Sequence, residues 1–344
     1  MMPQQEQIDF RKNSLNTFRL FAALEVLCGH VVIHLHVNYI PILSDFIGLF
    51  WGVPLFFTLS GYLIWHSIGN SKTFGNYLKK RFWRIYPELW VAVGAEIVVL
   101  LLLYHQAIDW PKMGLFIVGQ ATIFQFWTPD FLRDYGCGTP NGALWTITVL
   151  IQFYVCAYAL YKLLKNSKLA IWTGTILVTT VIGWLTSNIT CHLPEVIGKL
   201  YGVSIFPYLW MFIIAAFIAE YREIIMPFIK IYWWLFITLL LLFRGYPQWE
   251  MMAGLYPVFK TILLFCGVLG FSYQYPEVNM KTDISYGIYI YHMTIVNALI
   301  ALGFVGKQWS MWVVVAITCI LAYLSTITVG QMSANKKKVL TSST

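Results

Sequence analysis

An all-α bundle that crosses a membrane about ten times is the fold class this 344-residue sequence predicts, and three observations carry the prediction. Hydrophobic residues make up 59% of the chain and charged residues only 11%, far from the proportions of a soluble domain. With mean hydropathy +0.67, the apolar residues gather into runs of about 20, the length that spans a bilayer. Lys and Arg collect in alternate connections between those runs, as cytoplasmic loops do.

The opening MMPQQEQIDFRKNSLNTFRLF is too polar for a removable signal, and the apolar run that follows it is retained as the first span, 17–37. Further spans are expected near 46–68, 86–104, 143–163, 169–187, 201–219, 231–246, 254–273, 284–304 and 310–330. The second contains Ser60 and Gly61, small residues suited to close helix packing. The third follows the basic, aromatic stretch YLKKRFWRIYPELW, residues 77–90, an interfacial anchor with Trp83, Tyr86 and Trp90 in the headgroup belt. The fourth carries Trp145, Thr146, Thr148, Gln152 and Tyr154, polar residues that serve interhelical hydrogen bonds. The ninth carries Ser285, Tyr286, Tyr289 and His292.

Segment 113–127, MGLFIVGQATIFQFW, is an eleventh span or a re-entrant or interfacial piece, and charge decides between them. If it does not cross, one side receives Arg11, Lys12, Lys72, Lys79, Lys80, Arg81, Arg84, Lys162, Lys165, Lys168, Arg222, Lys230, Lys281 and Lys336 to Lys338. The other side keeps few cations. Ten spans with both termini cytoplasmic follow, as a single transmembrane domain over residues 1–333 and a short basic cytoplasmic tail over 334–344. The net charge of +8 then reflects topology and anionic lipid, and no nucleic-acid partner is expected.

Cys28, Cys156, Cys266 and Cys319 sit in apolar spans as small hydrophobes. Cys137 and Cys191 fall in external connections, on the oxidising side, either as a disulfide or as two unpaired thiols. No CxxC or His/Cys cluster points to a metal, and no GxGxxG, Walker A loop or HExxH pattern points to a bound cofactor. The polar stretch 105–142 is long enough to roof an opening on the external face.

The first span carries Arg19, Glu25, His30, His34 and His36. Arg19 and His30 are eleven residues apart, about 16 Å along a helix and just over three turns, so both look toward one face with the His deep inside. Ionisable groups in hydrocarbon are costly and are functional candidates by default. His34 is an i,i+4 neighbour of His30, and no third ligand favours a metal there. Arg81 and Arg84, i,i+3 on one face, suit the oxygens of a phosphorylated cytosolic donor. His292 is a second intramembrane His.

Together these segments resemble the acyltransferase 3 family of integral membrane acyltransferases, over nearly the whole chain and in order. Arg19, ten residues and His30 resemble the family's Arg/Lys-x10-His signature, and Arg81-Phe-Trp-Arg84-Ile-Tyr-Pro its RxxR-x-YP element. FFTLSGYLI resembles its FFxLSGFLI segment, Leu144 to Tyr154 its LWSLxVExQFY segment, and Ser285 to Met293 its SYGIYLYHxP segment. Leu150 and Ile151 stand where many members carry Glu, so no acidic role transfers to that helix, and Thr294 stands where Pro is common. The SGNH-type domain that some members append is not seen, so the chain is expected to act alone or with a separate partner.

The resemblance implies an O-acyltransferase of the cytoplasmic (inner) membrane. Acyl-CoA, by default acetyl-CoA, is the co-substrate, and a hydroxyl of a surface or lipid-linked glycan is the acceptor. Arg19, Arg81 and Arg84 would bind the donor phosphates. His30 would be the general base, with a transient acyl-histidine as the other route. His292 and Tyr286 would orient the acceptor or meet the oxyanion, and Ser60 and Trp145 would line the channel. The competing class is a proton-coupled transporter or flippase that uses Arg19, His30 and His292 as an ion path.

Overall fold

The computed structural model describes residues 9–38, 48–189, 192–244, 256–334 and 336. All regular secondary structure among the described residues is helical. The helices are α1 (Leu15–Leu35), α2 (Gly52–Gly69), α3 (Phe74–Leu103), α4 (Trp110–Ala121), α5 (Trp145–Leu164), α6 (Leu169–Ile189), α7 (Glu195–Gly202), α8 (Leu209–Glu220), α9 (Arg222–Ile231), α10 (Trp233–Arg244), α11 (Tyr256–Gln274), α12 (Ser285–Ala301) and α13 (Ser310–Ser325). Each of the ten expected spans overlaps one of them. Among the described residues six helices are long and apolar enough to cross a membrane, and seven if α9 and α10, bent by 65° at Tyr232, count as one broken span. The protein is a multi-pass membrane protein.

Segment 113–127 does not continue as one helix. Asp109 accepts from Lys112 N at 3.1 Å and Pro111 sits in the first turn, a start signal. The helix ends at Ala121 after 12 residues, about 18 Å and short of a bilayer core. Its far end meets the middle of α3, where Trp90 Nε1 donates to Ala121 O at 2.9 Å and Tyr86 Oη to Thr122 O at 3.2 Å. The chain then returns to the end it came from, where Tyr104 Oη donates to Phe131 O. Residues 110–132 thus form a helix and a returning stretch of chain that lie alongside α3 as a hairpin. Its non-helical turn needs internal partners, and two buried glutamines supply them. Gln120 Nε2 donates to the carbonyls of Gln125 and Trp127, both at 3.3 Å, Gln125 Nε2 donates to Thr122 O at 2.5 Å, and Thr148 Oγ1 of α5 donates to Gln125 Oε1 at 2.8 Å.

Close helix packing falls on the small residues. A Cβ on Gly61 would lie 2.8 Å from Phe212 O and 2.9 Å from Phe212 Cα, so α2 and α8 touch backbone to side-chain-free surface. A Cβ on Gly287 would lie 2.7 Å from Ala322 Cα and seals α12 against α13 in the same way. Glu25 of α1 accepts from Gly52 N at 2.9 Å and so satisfies the first turn of α2.

The connection before α5 is stapled to α12 by Asn297. This fully buried side chain accepts from Cys137 N at 2.7 Å and donates to Thr139 O and Pro140 O at 3.0 and 2.7 Å. Gly136 makes the fit, since its φ is +58° and a Cβ there would fall 2.0 Å from Asn297 Oδ1. Cys137 carries a free thiol facing Thr139 O at 3.5 Å. Cys191, its expected partner, and most of the basic tail lie outside the described residues.

Candidate active site

A cavity of about 290 Å³ opens between α1, α2, α3, α5 and α12, lined among others by Arg19, Ser60, Arg81, Arg84, Tyr154, Tyr286 and Tyr289. All three sequence-predicted donor arginines reach it. So do Ser60 and Tyr286, which places the two members of the Ser60-Gly61 pair on opposite duties, Ser60 to the cavity and Gly61 to α8. The α2 residues along it run from Val53 to Ile64, eleven steps or about 16 Å of helix, so the cavity is a shaft along the bundle.

One end of the shaft is electrostatic. Asp283, just before α12, takes Arg19 Nη1 at 2.5 Å and Arg84 Nη2 at 3.4 Å on its Oδ2. Its Oδ1 accepts from Ser285 Oγ at 2.5 Å and Ser285 N at 3.1 Å. Burial pushes the Asp283 carboxyl up, but the charges of Arg19 and Arg84 with the Ser285 hydrogen bonds outweigh it and hold the group below its usual range. Arg81 lies outside this pairing. Its guanidinium sits 5.5 Å from the ring centroids of both Tyr77 and Tyr154, and its buried Nε has no hydrogen-bond partner. Tyr286 Oη donates to Ile85 O at 3.0 Å and fixes α12 against α3 beside these groups.

The histidines form a second zone. His30 Nδ1 is 2.8 Å from His292 Nε2, with the rings nearly parallel at 11°, so the eleven-residue spacing does set Arg19 and His30 on the one face that meets α12. His292 is fully buried, and its Nδ1 is 3.1 Å from Ile288 O. A carbonyl only accepts, so His292 Nδ1 carries a hydrogen. A fully buried imidazole with no carboxylate against it stays neutral because an unpaired buried charge is costly, so its Nε2 holds a lone pair. His30 Nδ1 must then donate to it, and the neutral His30 keeps its lone pair on Nε2. That nitrogen has no hydrogen-bond partner among the described residues, on a half-buried ring. His34 stacks on the other side of His30, with ring centroids 5.8 Å apart.

Neither His30 nor His292 lines the 290 Å³ shaft. Tyr289 connects the two zones: it lines the shaft and its ring lies 6.0 Å from that of His292. Its hydroxyl is held by Thr146 Oγ1 at 2.6 Å and Ala143 O at 2.8 Å. Trp145 faces elsewhere, into a second cavity of about 530 Å³ with Trp127, Arg133, Lys199 and Tyr208. Phe57 of the shaft meets Trp145 edge-on and Tyr208 at a tilt, with centroids 6.5 and 5.0 Å away, so three rings partition the cavities. Among the described residues no three His, Cys, Asp or Glu side chains form a metal-binding group.

Sequence reasoning missed Asp283 and Asn297, and named Tyr289 among the polar residues of its span without giving it a role. Asp283 carried a local signal, an acidic residue at the start of a helix. Its arginine partners lie 264 and 199 positions away, and no local pattern reports them.

The family model described as "Acyltransferase domain" (Acyl_transf_3) matches residues 12–330. Nodulation protein 10 of Rhizobium leguminosarum is 28% identical over 350 residues, covering 94% of each chain. The O-acetyl transferase of Shigella phage Sf6 is 27% identical over 337 residues, 92% of this chain and 94% of the relative. The peptidoglycan O-acetyltransferase OatA of Listeria monocytogenes is 28% identical over 160 residues, 42% of this chain and 25% of the relative. No solved structure matches. With Arg19, Arg81, Arg84, Ser60 and Tyr286 around one shaft and the family model spanning nearly the whole chain, this chain belongs to the acyltransferase 3 family and is a membrane acyltransferase.

Proposed function

We propose that this protein moves an acyl group, by default acetyl, from cytoplasmic acyl-CoA to a hydroxyl of a surface or lipid-linked glycan, in a cytoplasmic membrane that it crosses ten times with both termini inside. The observation that carries the reading is the pairing of a cationic shaft with a histidine whose free Nε2 is presented by His292. Two similar proteins are named O-acetyl transferases, one of them of peptidoglycan, which supports a hydroxyl acceptor. The basic ends of α1 and α3 support a cytoplasmic side for the arginine end, under the positive-inside rule.

The chemistry follows from the groups present. The CoA phosphates enter at the arginine end, and the thioester extends along the shaft toward Tyr289 and the histidines. His30 Nε2 takes the proton of the acceptor hydroxyl while its oxygen attacks the thioester carbonyl carbon. The tetrahedral intermediate then collapses, the C–S bond breaks, and the CoA sulfur leaves as thiolate and takes up a proton. Tyr289 Oη is already bonded to Thr146 and Ala143, so it shapes the passage.

Inside-out vesicles supplied with acetyl-labelled acetyl-CoA test the reading. Label in membrane glycan that disappears in a folded His30→Ala variant is the expected result. Label that crosses the membrane with no covalent product would favour a transporter, and full transfer by His30→Ala would overturn the base assignment.

A further inference from the structure

The three arginines of the shaft are not in equivalent states. Asp283 Oδ2 is shared by Arg19 and Arg84, and Oδ1 is occupied by the Ser285 hydroxyl and amide. Every strong acceptor position of that carboxylate is therefore engaged without reaching Arg81. Glu88, one turn on from Arg84, is turned toward Ser325 of α13, whose Oγ is 3.4 Å from its Oε2. Arg81 instead lies among the rings of Tyr77 and Tyr154 with a buried, unpartnered Nε. Aromatic faces hold a guanidinium in place without cancelling its charge, so its donors stay available for an incoming anion.

We propose that Asp283 is a positioning residue that divides the arginines between two tasks: it locks Arg19 and Arg84 into the shaft wall and leaves Arg81 as the guanidinium that takes a donor phosphate. This assignment rests on the acyl-CoA reading above and names which residue meets the phosphate. Three arginines against one aspartate leave a surplus of two positive charges at the mouth, fixed in direction because two of the three are held. Without Asp283 the same mouth would hold three unfixed guanidiniums, which attract an anion more strongly and orient it less well.

Binding of CoA and of pantetheine, which lacks the phosphates, to the full-length protein in nanodiscs tests the proposal, alongside acetyl-transfer kinetics. Arg81→Ala is expected to weaken CoA about tenfold or more, the loss of one charge-assisted bidentate contact, with pantetheine unchanged. Arg81→Lys should recover only part of the loss. Asp283→Asn is expected to bind CoA as tightly as wild type or tighter, with a steeper salt dependence, while kcat falls about tenfold or more as the donor loses its fixed seat. A merely structural Asp283 would lower CoA affinity, kcat and the melting temperature together, and that result overturns its role. CoA affinity indifferent to Arg81→Ala overturns the assignment of Arg81 even where Asp283→Asn fails to fold. Wild-type protein that transfers acetyl groups without binding CoA would instead overturn the donor reading itself.

Discussion

Replacing His292 with Phe removes the partner that fixes the tautomer of His30 while keeping the volume of a flat ring in a fully buried site. Two contacts go: His30 Nδ1 to His292 Nε2 at 2.8 Å and His292 Nδ1 to Ile288 O at 3.1 Å. The first matters for rate. Leaving the His30 Nδ1–H unsatisfied costs about 1–3 kcal/mol, and the ring relieves that cost by turning or by moving its hydrogen to Nε2, either of which withdraws the base. At about 1.4 kcal/mol per factor of ten, kcat should fall roughly 5- to 150-fold. Donor KM should hold, because the arginine end is built from other residues. Initial rates of acetyl transfer in proteoliposomes, with the folded fraction measured by size exclusion and thermal melting, give the answer. A kcat within twofold of wild type in a folded variant would refute the tautomer argument, as would a loss confined to KM.

Gly61→Val drives a branched side chain into the Phe212 backbone, which a Cβ alone would approach to 2.8 Å, and should cost about 1–3 kcal/mol of stability as a lowered melting temperature in detergent. Asp283 gives a pH signature. Its carboxyl is held below the ordinary range, so its ion pairs stabilise fully above the unfolded value of about 4 and are lost as pH falls through the lower folded value. The melting-temperature gap between wild type and Asp283→Asn should be constant above about pH 5 and shrink below about pH 4; a gap that widens in acid would contradict the pairing. Glu96 of α3 is buried and makes no ion pair among the described residues, so Glu96→Gln should melt within a degree or two of wild type or above it, since no ion pair is broken.

Much of the fold was legible because each helix must satisfy its own backbone in lipid. Every run of about 20 apolar residues therefore reports a helix locally, and all ten expected spans overlap one. Helix lengths and bends were less legible. The α8 helix is only 12 residues long and α9 is bent from α10 by 65°, which no apolar run records. The path of 113–127 was open on hydropathy alone, because an apolar run of 15 fits a short span as well as a hairpin. Packing makes it a hairpin against α3, with Trp90 meeting Ala121 while Tyr104 meets Phe131.

The site divides in the same way. Arg19, His30 and His292 could be picked out from the order of residues alone, because a charge-bearing side chain among apolar neighbours stands out in any order of reading. That order also placed Arg19 and His30 on one face, since 3.6 residues per turn is a property of the backbone. Their partners come from packing. Asp283 reaches Arg19 and Arg84, Tyr289 stands between shaft and histidines, Trp145 turns to the other cavity, and His292 fixes which nitrogen of His30 is free. Those pairings cross as many as 264 positions, and nothing short of packing the helices brings their partners within hydrogen-bond range.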